Sequence, residues 1–151
     1  MSYCGIETGV KMAKQVIVVV DADALIAQTN LKDIHHPVAA RISSRLLEMG
    51  ASIIYPSTAI AEASTHMQRV LNNSVDALNI VRLLTNPVVQ VAQVNKDILE
   101  RAMTYFGVGG SKKNTMFDCI VAAVAETVQA DAIFSFDRFY KTRGFKLASE
   151  L

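Results

Sequence analysis

Five acids in this chain sit where their type and spacing promise chemistry: Asp21, Asp23, Glu62, Asp118 and Asp137. Asp21 and Asp23 flank Ala22 directly after the apolar run Val16-Ile17-Val18-Val19-Val20. Asp118 is the only charge in Met116-Phe117-Asp118-Cys119-Ile120-Val121-Ala122-Ala123-Val124-Ala125. A helix apolar almost all round is buried, and a buried carboxylate must be paired, used as a cap or bound to a cation. Glu62 follows Thr58-Ala59-Ile60-Ala61, and Asp137 follows the strand-like residues 132–136. Carboxylates brought together repel and raise one another's pKa. Such a gathering makes physical sense around a divalent cation. Mg²⁺ takes oxygen ligands in an octahedron and keeps several waters. A water on such an ion becomes a nucleophile, and the ion offsets charge on a phosphate undergoing displacement. Two ions about 3.5–4 Å apart hold both the attacking and the leaving oxygen.

Each acid also has a plainer reading. Asp23 suits the N-cap of a following helix. Thr115 with Asp118 three residues on makes a capping-box-like start. Glu62 fits a solvated helix face, and Asp137 fits a turn cap. Asp21 is the acid these readings explain least. His35, His36 and His66 lack zinc-like spacing and read as surface histidines.

The elements that position these acids follow from hydropathy patterning. Residues 16–20 are a continuous apolar run, and 52–55 and 132–136 read alike apart from Ser52 and Ser135, as in strands buried on both faces. Residues 88–94 are strand-like, and 145–147 suit a short last strand. Helical patterns cover 38–49, 96–106 and 116–129. Residues 58–85 read as two helices broken near Asn72-Asn73. Strands alternating with helices imply an α/β fold with a parallel sheet covered on both faces. Ligand sites in such folds lie beyond the carboxyl ends of the strands, where Asp21, Ser57, Glu62 and Asp137 follow their strands and Asp118 opens the helix before the last one.

The 151 residues suit one domain, with 16–151 as the domain and 1–15 as an extension of unassigned role. A hydrophobic fraction of 51% against 19% charged excludes general disorder. The longest apolar run, 119–125, is far short of the ~20 residues of a membrane span, so no membrane association is expected. Residues 1–15 lack the apolar core of a secretory signal. Cys4 and Cys119 have no metal-binding or redox spacing, which favours a reduced, cytoplasmic protein. A net charge of +1 points to no partner, so only local clusters can. Arg138, Lys141, Arg143 and Lys146 place four cations in nine residues, and Lys112 and Lys113 follow the Gly107–Gly110 run. Both clusters suit phosphate contacts and equally suit a solvated surface. Phe139 and Tyr140 suit base stacking or the core.

With these residues in hand, the chain resembles the PIN-domain nucleases, especially small VapC-like toxins. Val18-Val19-Val20-Asp21-Ala22-Asp23-Ala24-Leu25-Ile26 is similar to that family's opening strand and first acid. Pro56-Ser57-Thr58-Ala59-Ile60-Ala61-Glu62 is similar to its second segment, and Phe117-Asp118-Cys119-Ile120-Val121-Ala122-Ala123-Val124-Ala125 to its third. Phe134-Ser135-Phe136-Asp137-Arg138-Phe139 is similar to its last block. The resemblance implies a three-layer α/β/α sandwich with a central, mainly parallel sheet. It also implies a Mg²⁺ or Mn²⁺ site made by Asp21, Glu62, Asp118 and Asp137, with Asp23, Ser57 and Ser135 in support. The activity implied is endoribonuclease hydrolysis of RNA phosphodiesters by a metal-activated water, with Lys112, Lys113, Arg138, Lys141 and Arg143 on the substrate. The partners implied are RNA, an antitoxin protein and a second copy of the chain, met through helices 38–49 and 58–85.

Two alternatives compete. Asp21-Ala22-Asp23 after an apolar strand is also similar to the nucleophile and acid–base pair of haloacid-dehalogenase-like phosphatases. In that reading Ser57 binds phosphate, Lys112 or Lys113 is its lysine, and Asp137 binds metal. The glycine-threonine expected after the second acid is absent, with Ala24-Leu25 in its place, and Glu62 has no use there. The other alternative is a catalytically inactive PIN-like binding module.

Overall fold

The computed structural model describes residues 13–107 and 113–151. Cys4, Lys112, most of the Gly107–Gly110 run and most of the expected extension 1–15 lie outside the described residues. At the centre is β1 (Ile17–Val20), whose β-branched residues are stiff at χ1 and suit a pleated, buried surface. It pairs in parallel with β2 (Ser52–Pro56) on one side and β4 (Ala132–Phe134) on the other. β3 (Gln90–Ala92) pairs in parallel with β2, giving the order β3-β2-β1-β4.

Alternation along β1 splits the core. Val18 and Val20 face a layer built from α1 (Ala22–Thr29), α2 (His36–Glu48), α3 (Ser57–Arg69) and α4 (Ser74–Val81). Val19 faces α5 (Lys96–Met103), α6 (Met116–Thr127) and α7 (Phe139–Thr142). The result is the expected three-layer α/β/α sandwich. Each fully buried Val or Ile in these layers contributes about 1.5–3 kcal/mol. The break near Asn72-Asn73 is present: Asn72 takes φ 50, and the Asn73 side chain accepts from the Asp76 N–H at 3.0 Å. A 3₁₀ turn, Arg82–Thr85, extends α4.

Three expectations need correction. The strand expected at 145–147 is a single parallel bridge between Ile133 and Leu147. Gly144 at φ 88 turns the chain just before it, and a 3₁₀ turn, Ala148–Glu150, ends it just after. β2 is only half-buried up to Tyr55, and β3 pairs with Ile54 to Pro56 alone. β4 ends at Phe134, so Ser135 and Phe136 leave the ladder.

Candidate active site

The carboxyl ends of β1 and β4 bring the sequence-predicted acids together. Asp21 still belongs to the sheet edge, since its N–H donates to the Phe134 carbonyl at 3.0 Å. Its backbone is extended there, and Asp21, rather than Asp23, is the N-cap of α1. Asp21 Oδ1 accepts from the Ala22 N–H at 2.7 Å. Asp21 Oδ2 accepts from the Tyr140 hydroxyl at 2.8 Å and stands 3.0 Å from Ser135 Oγ.

Asp23 falls in the first turn of α1 and turns back toward the same serine. Its Oδ2 accepts from the Phe136 N–H at 2.8 Å and is 3.0 Å from Ser135 Oγ. Ser135 also accepts from the Asp137 N–H at 3.0 Å. A hydroxyl carries one hydrogen, so Ser135 donates to Asp21 or to Asp23, not to both at once. Burial pushes the Asp21 carboxyl up to about 7, with the charge of Asp23 adding to it. Burial likewise pushes Asp23 to about 6, held back by the Phe136 and Ser135 hydrogen bonds.

Glu62 projects from α3 into this pocket. Its pKa is raised to about 7, first by burial and then by the charges of Asp21, Asp118 and Asp23 in that order. Asp118 forms the anticipated capping box: its Oδ2 accepts from the Thr115 N–H at 2.7 Å, and Thr115 Oγ1 accepts from the Phe117 N–H at 3.3 Å. Capping does not remove it from the site. Burial lifts its pKa to about 6, and Asp21 and Asp137 push the same way. Asp137 takes its turn-capping role with both oxygens engaged, Oδ1 by the Phe139 N–H at 2.8 Å and Oδ2 by Asn114 Nδ2 at 3.0 Å. Its charge is felt by Asp23 and Asp118.

Among the described residues, three buried side-chain oxygens lack a partner: Asp23 Oδ1, Glu62 Oε2 and Thr58 Oγ1. Orphaned buried oxygens are costly, and here two belong to carboxylates. Thr58 lies one turn before Glu62 on the same face of α3. A hard divalent cation with its waters fits this donor set. Among the described residues, no group of three or more acid, histidine or cysteine side chains is arranged to hold a metal ion by itself.

Tyr140 takes the core reading rather than the base-stacking one, and its place in the site was not anticipated. It is fully buried and still reaches an acid. The available signal was chemical: a buried tyrosine hydroxyl needs a partner, and the neighbouring block is acidic. Asn114, on Asp137, was not anticipated either. Ser57 opens α3 half-buried, next to Thr58, whose hydroxyl is the one that is buried without a partner. The expected cations diverge. Lys113, Arg138 and Lys146 are exposed. Lys141 pairs with Glu150 at 2.9 Å, and Arg143 lies 5.3 Å from the centre of the Phe139 ring. Among the described residues, no helix is long and apolar enough to cross a membrane, and Cys119 is a buried free thiol.

The PIN domain family model matches residues 18–145. The fold is also similar to the crystal structure of Mycobacterium tuberculosis VapC20, described as a Sarcin-Ricin loop cleaving toxin. The TM-score is 0.74 at 19% sequence identity, over 85% of this chain and 95% of that one. No curated protein matches the chain by sequence.

Proposed function

Since the chain belongs to the PIN-domain family, we propose that it is a divalent-metal-dependent endoribonuclease of the VapC-like toxin kind. The observation that carries this is the convergence of Asp21, Asp23, Glu62 and Asp118, each raised in pKa, around oxygens without partners. Asp21, Glu62, Asp118 and Asp137 would hold Mg²⁺ or Mn²⁺, with Asp23 in support. Bound there, the ion supplies Lewis acidity and lowers the pKa of water. Ser135 and Tyr140 orient Asp21. Hydrolysis by external water leaves the RNA 2′-hydroxyl uninvolved and yields 5′-phosphate and 3′-hydroxyl ends. Lys113, Arg138 and Arg143 offer charge to the phosphates, as Lys112 does by its place in the sequence, whereas Lys141 is tied to Glu150.

A toxin of this kind implies a small antitoxin protein as partner. The exposed residues Val75, Leu78 and Val81 line one side of α4 at helical spacing. A contiguous apolar surface marks an interaction site, and we assign it to a second copy of the chain.

The test is cleavage of single-stranded and structured RNAs, including a sarcin–ricin-loop hairpin, with Mg²⁺ or Mn²⁺ and then with chelator. Metal-dependent cutting that falls at least ~100-fold in Glu62→Gln and in Asp118→Asn supports the reading. Hydrolysis of a phosphate monoester that survives Glu62→Gln would favour the phosphatase. Metal binding without any cleavage would favour the inactive module.

A further inference from the structure

An open groove of about 570 Å³ runs from Glu62 along α3 to Arg69 and Val70, with Phe117 of α6 as its other wall. Ligand pockets commonly fall in this size range. Glu62, His66 and Arg69 are spaced i, i+4, i+7, so they form one line on one face of α3. Two helical turns, about 10 Å, separate Glu62 from Arg69. Phe117 is 45% exposed and belongs to neither core, although it adjoins Asp118 in the chain. A large ring left outside the core beside an acidic site is unusual for a residue type that dominates buried cores. Arg69 makes no ion pair among the described residues.

We infer that this groove holds the unpaired RNA nucleotide next to the scissile phosphate, its base stacked on Phe117 and its outer phosphate on Arg69. The inference rests on the ribonuclease reading and adds where the substrate lies. Continuity argues for RNA: Glu62 is both a wall of the groove and a member of the acidic site, so a chain cut at the site must leave along one of its edges. Charge argues for it too. A polyanion repelled by the acids meets a cation two turns away, and the stretch between is ring and aliphatic surface, which suits a base of any identity. His66, midway, offers a ring nitrogen to the base edge.

The test is a cycle of cleavage rates with Mn²⁺. The substrates are an eight-nucleotide single-stranded RNA and a series carrying one abasic residue at each position in turn. In the wild type, one position flanking the cut should lose about tenfold in kcat/KM when abasic, and Phe117→Ala should lose a similar factor on the intact RNA. Phe117→Ala should then show no further loss on that abasic RNA, and Phe117→Tyr should behave as wild type. A merely structural effect of Phe117 would lower all substrates alike, which would overturn the inference. Arg69→Ala should flatten the salt dependence of RNA binding by about 0.7 in log–log slope, one phosphate contact on a single strand. If the wild type cuts RNA and these variants match it on every substrate, the groove belongs to a protein segment instead, and the inference fails while the nuclease reading stands. If the wild type neither binds nor cuts RNA, the nuclease reading itself fails and takes the inference with it.

Discussion

Tyr140 places its hydroxyl 2.8 Å from Asp21 Oδ2 inside the core, where a phenylalanine would leave that oxygen one donor short. Partners that orient a ligand are worth about 10–100-fold in metal affinity. Tyr140→Phe should therefore weaken Mn²⁺ binding by about tenfold while the fold, read by circular dichroism, is kept. Unchanged affinity would remove Tyr140 from the site. The four raised acids also set the pH dependence of the metal-free protein. Asp21 and Glu62 stand at about 7, and Asp23 and Asp118 at about 6, against ~4 in the unfolded chain. Between those values the folded state holds more protons than the unfolded one. Stability is thus full below pH ~4 and is lost as pH rises through 6 to 7. In chelator, Tm should fall from pH 5 to pH 8. Saturating Mg²⁺ should restore it at pH 8, where the acids are free of protons. A Tm that climbs over that range in chelator contradicts the burial of these acids. Glu62→Gln removes a repelled charge, so at pH 8 without metal it should raise Tm by about 2–4 °C while cleavage is lost, the usual opposition of stability and activity.

The elements were legible where one rule acts alone. The β-branched run before Asp21 and the i, i+3 spacing of Thr115 and Asp118 needed no tertiary information. Thr115→Ala should accordingly cost about 1 kcal/mol, read as a lower urea midpoint with an unchanged slope, and Thr115→Ser should recover it. No change in midpoint would show that the box does not stabilise α6. Element ends were legible only where local chemistry decides them. By sequence Asp23 suits the cap of α1, yet Asp21 takes it, its N–H held in the sheet by the Phe134 carbonyl. Phe136 ends the strand-like stretch 132–136, yet its N–H goes to Asp23 and not to a neighbouring strand. The final strand was lost to Gly144 and to the Glu150 side chain, which accepts from the Leu147 N–H at 2.7 Å. All three outcomes depend on partners more than a hundred residues away or on a turn geometry that hydropathy does not encode.

For the molecule as a whole, the acids were readable in the sequence because strands alternating with helices imply a parallel sheet whose ligand site lies beyond the strands' carboxyl ends. β1 lies between β2 and β4, so acids following adjacent strands meet at one edge. Tyr140 and Asn114 were not readable, because they enter the site through side chains that other roles explain equally well. The apolar side of α4 belongs to this scale too. Leu78→Glu should leave Tm within about 2 °C, since Leu78 is exposed. It should shift the mass measured by light scattering from dimer to monomer, and a monomeric wild type would contradict the assignment of that face. The property on which all of this chemistry depends is uptake of a divalent cation by the acidic pocket. Calorimetric titration of Mn²⁺ at pH 6.5 in two buffers of different ionisation enthalpy tests this directly. The expected result is saturable binding with proton release, because Asp21 and Glu62 are partly protonated there, and its loss in Asp118→Asn. Absence of binding in the wild type, or binding with no proton released and no dependence on Asp118, would contradict it.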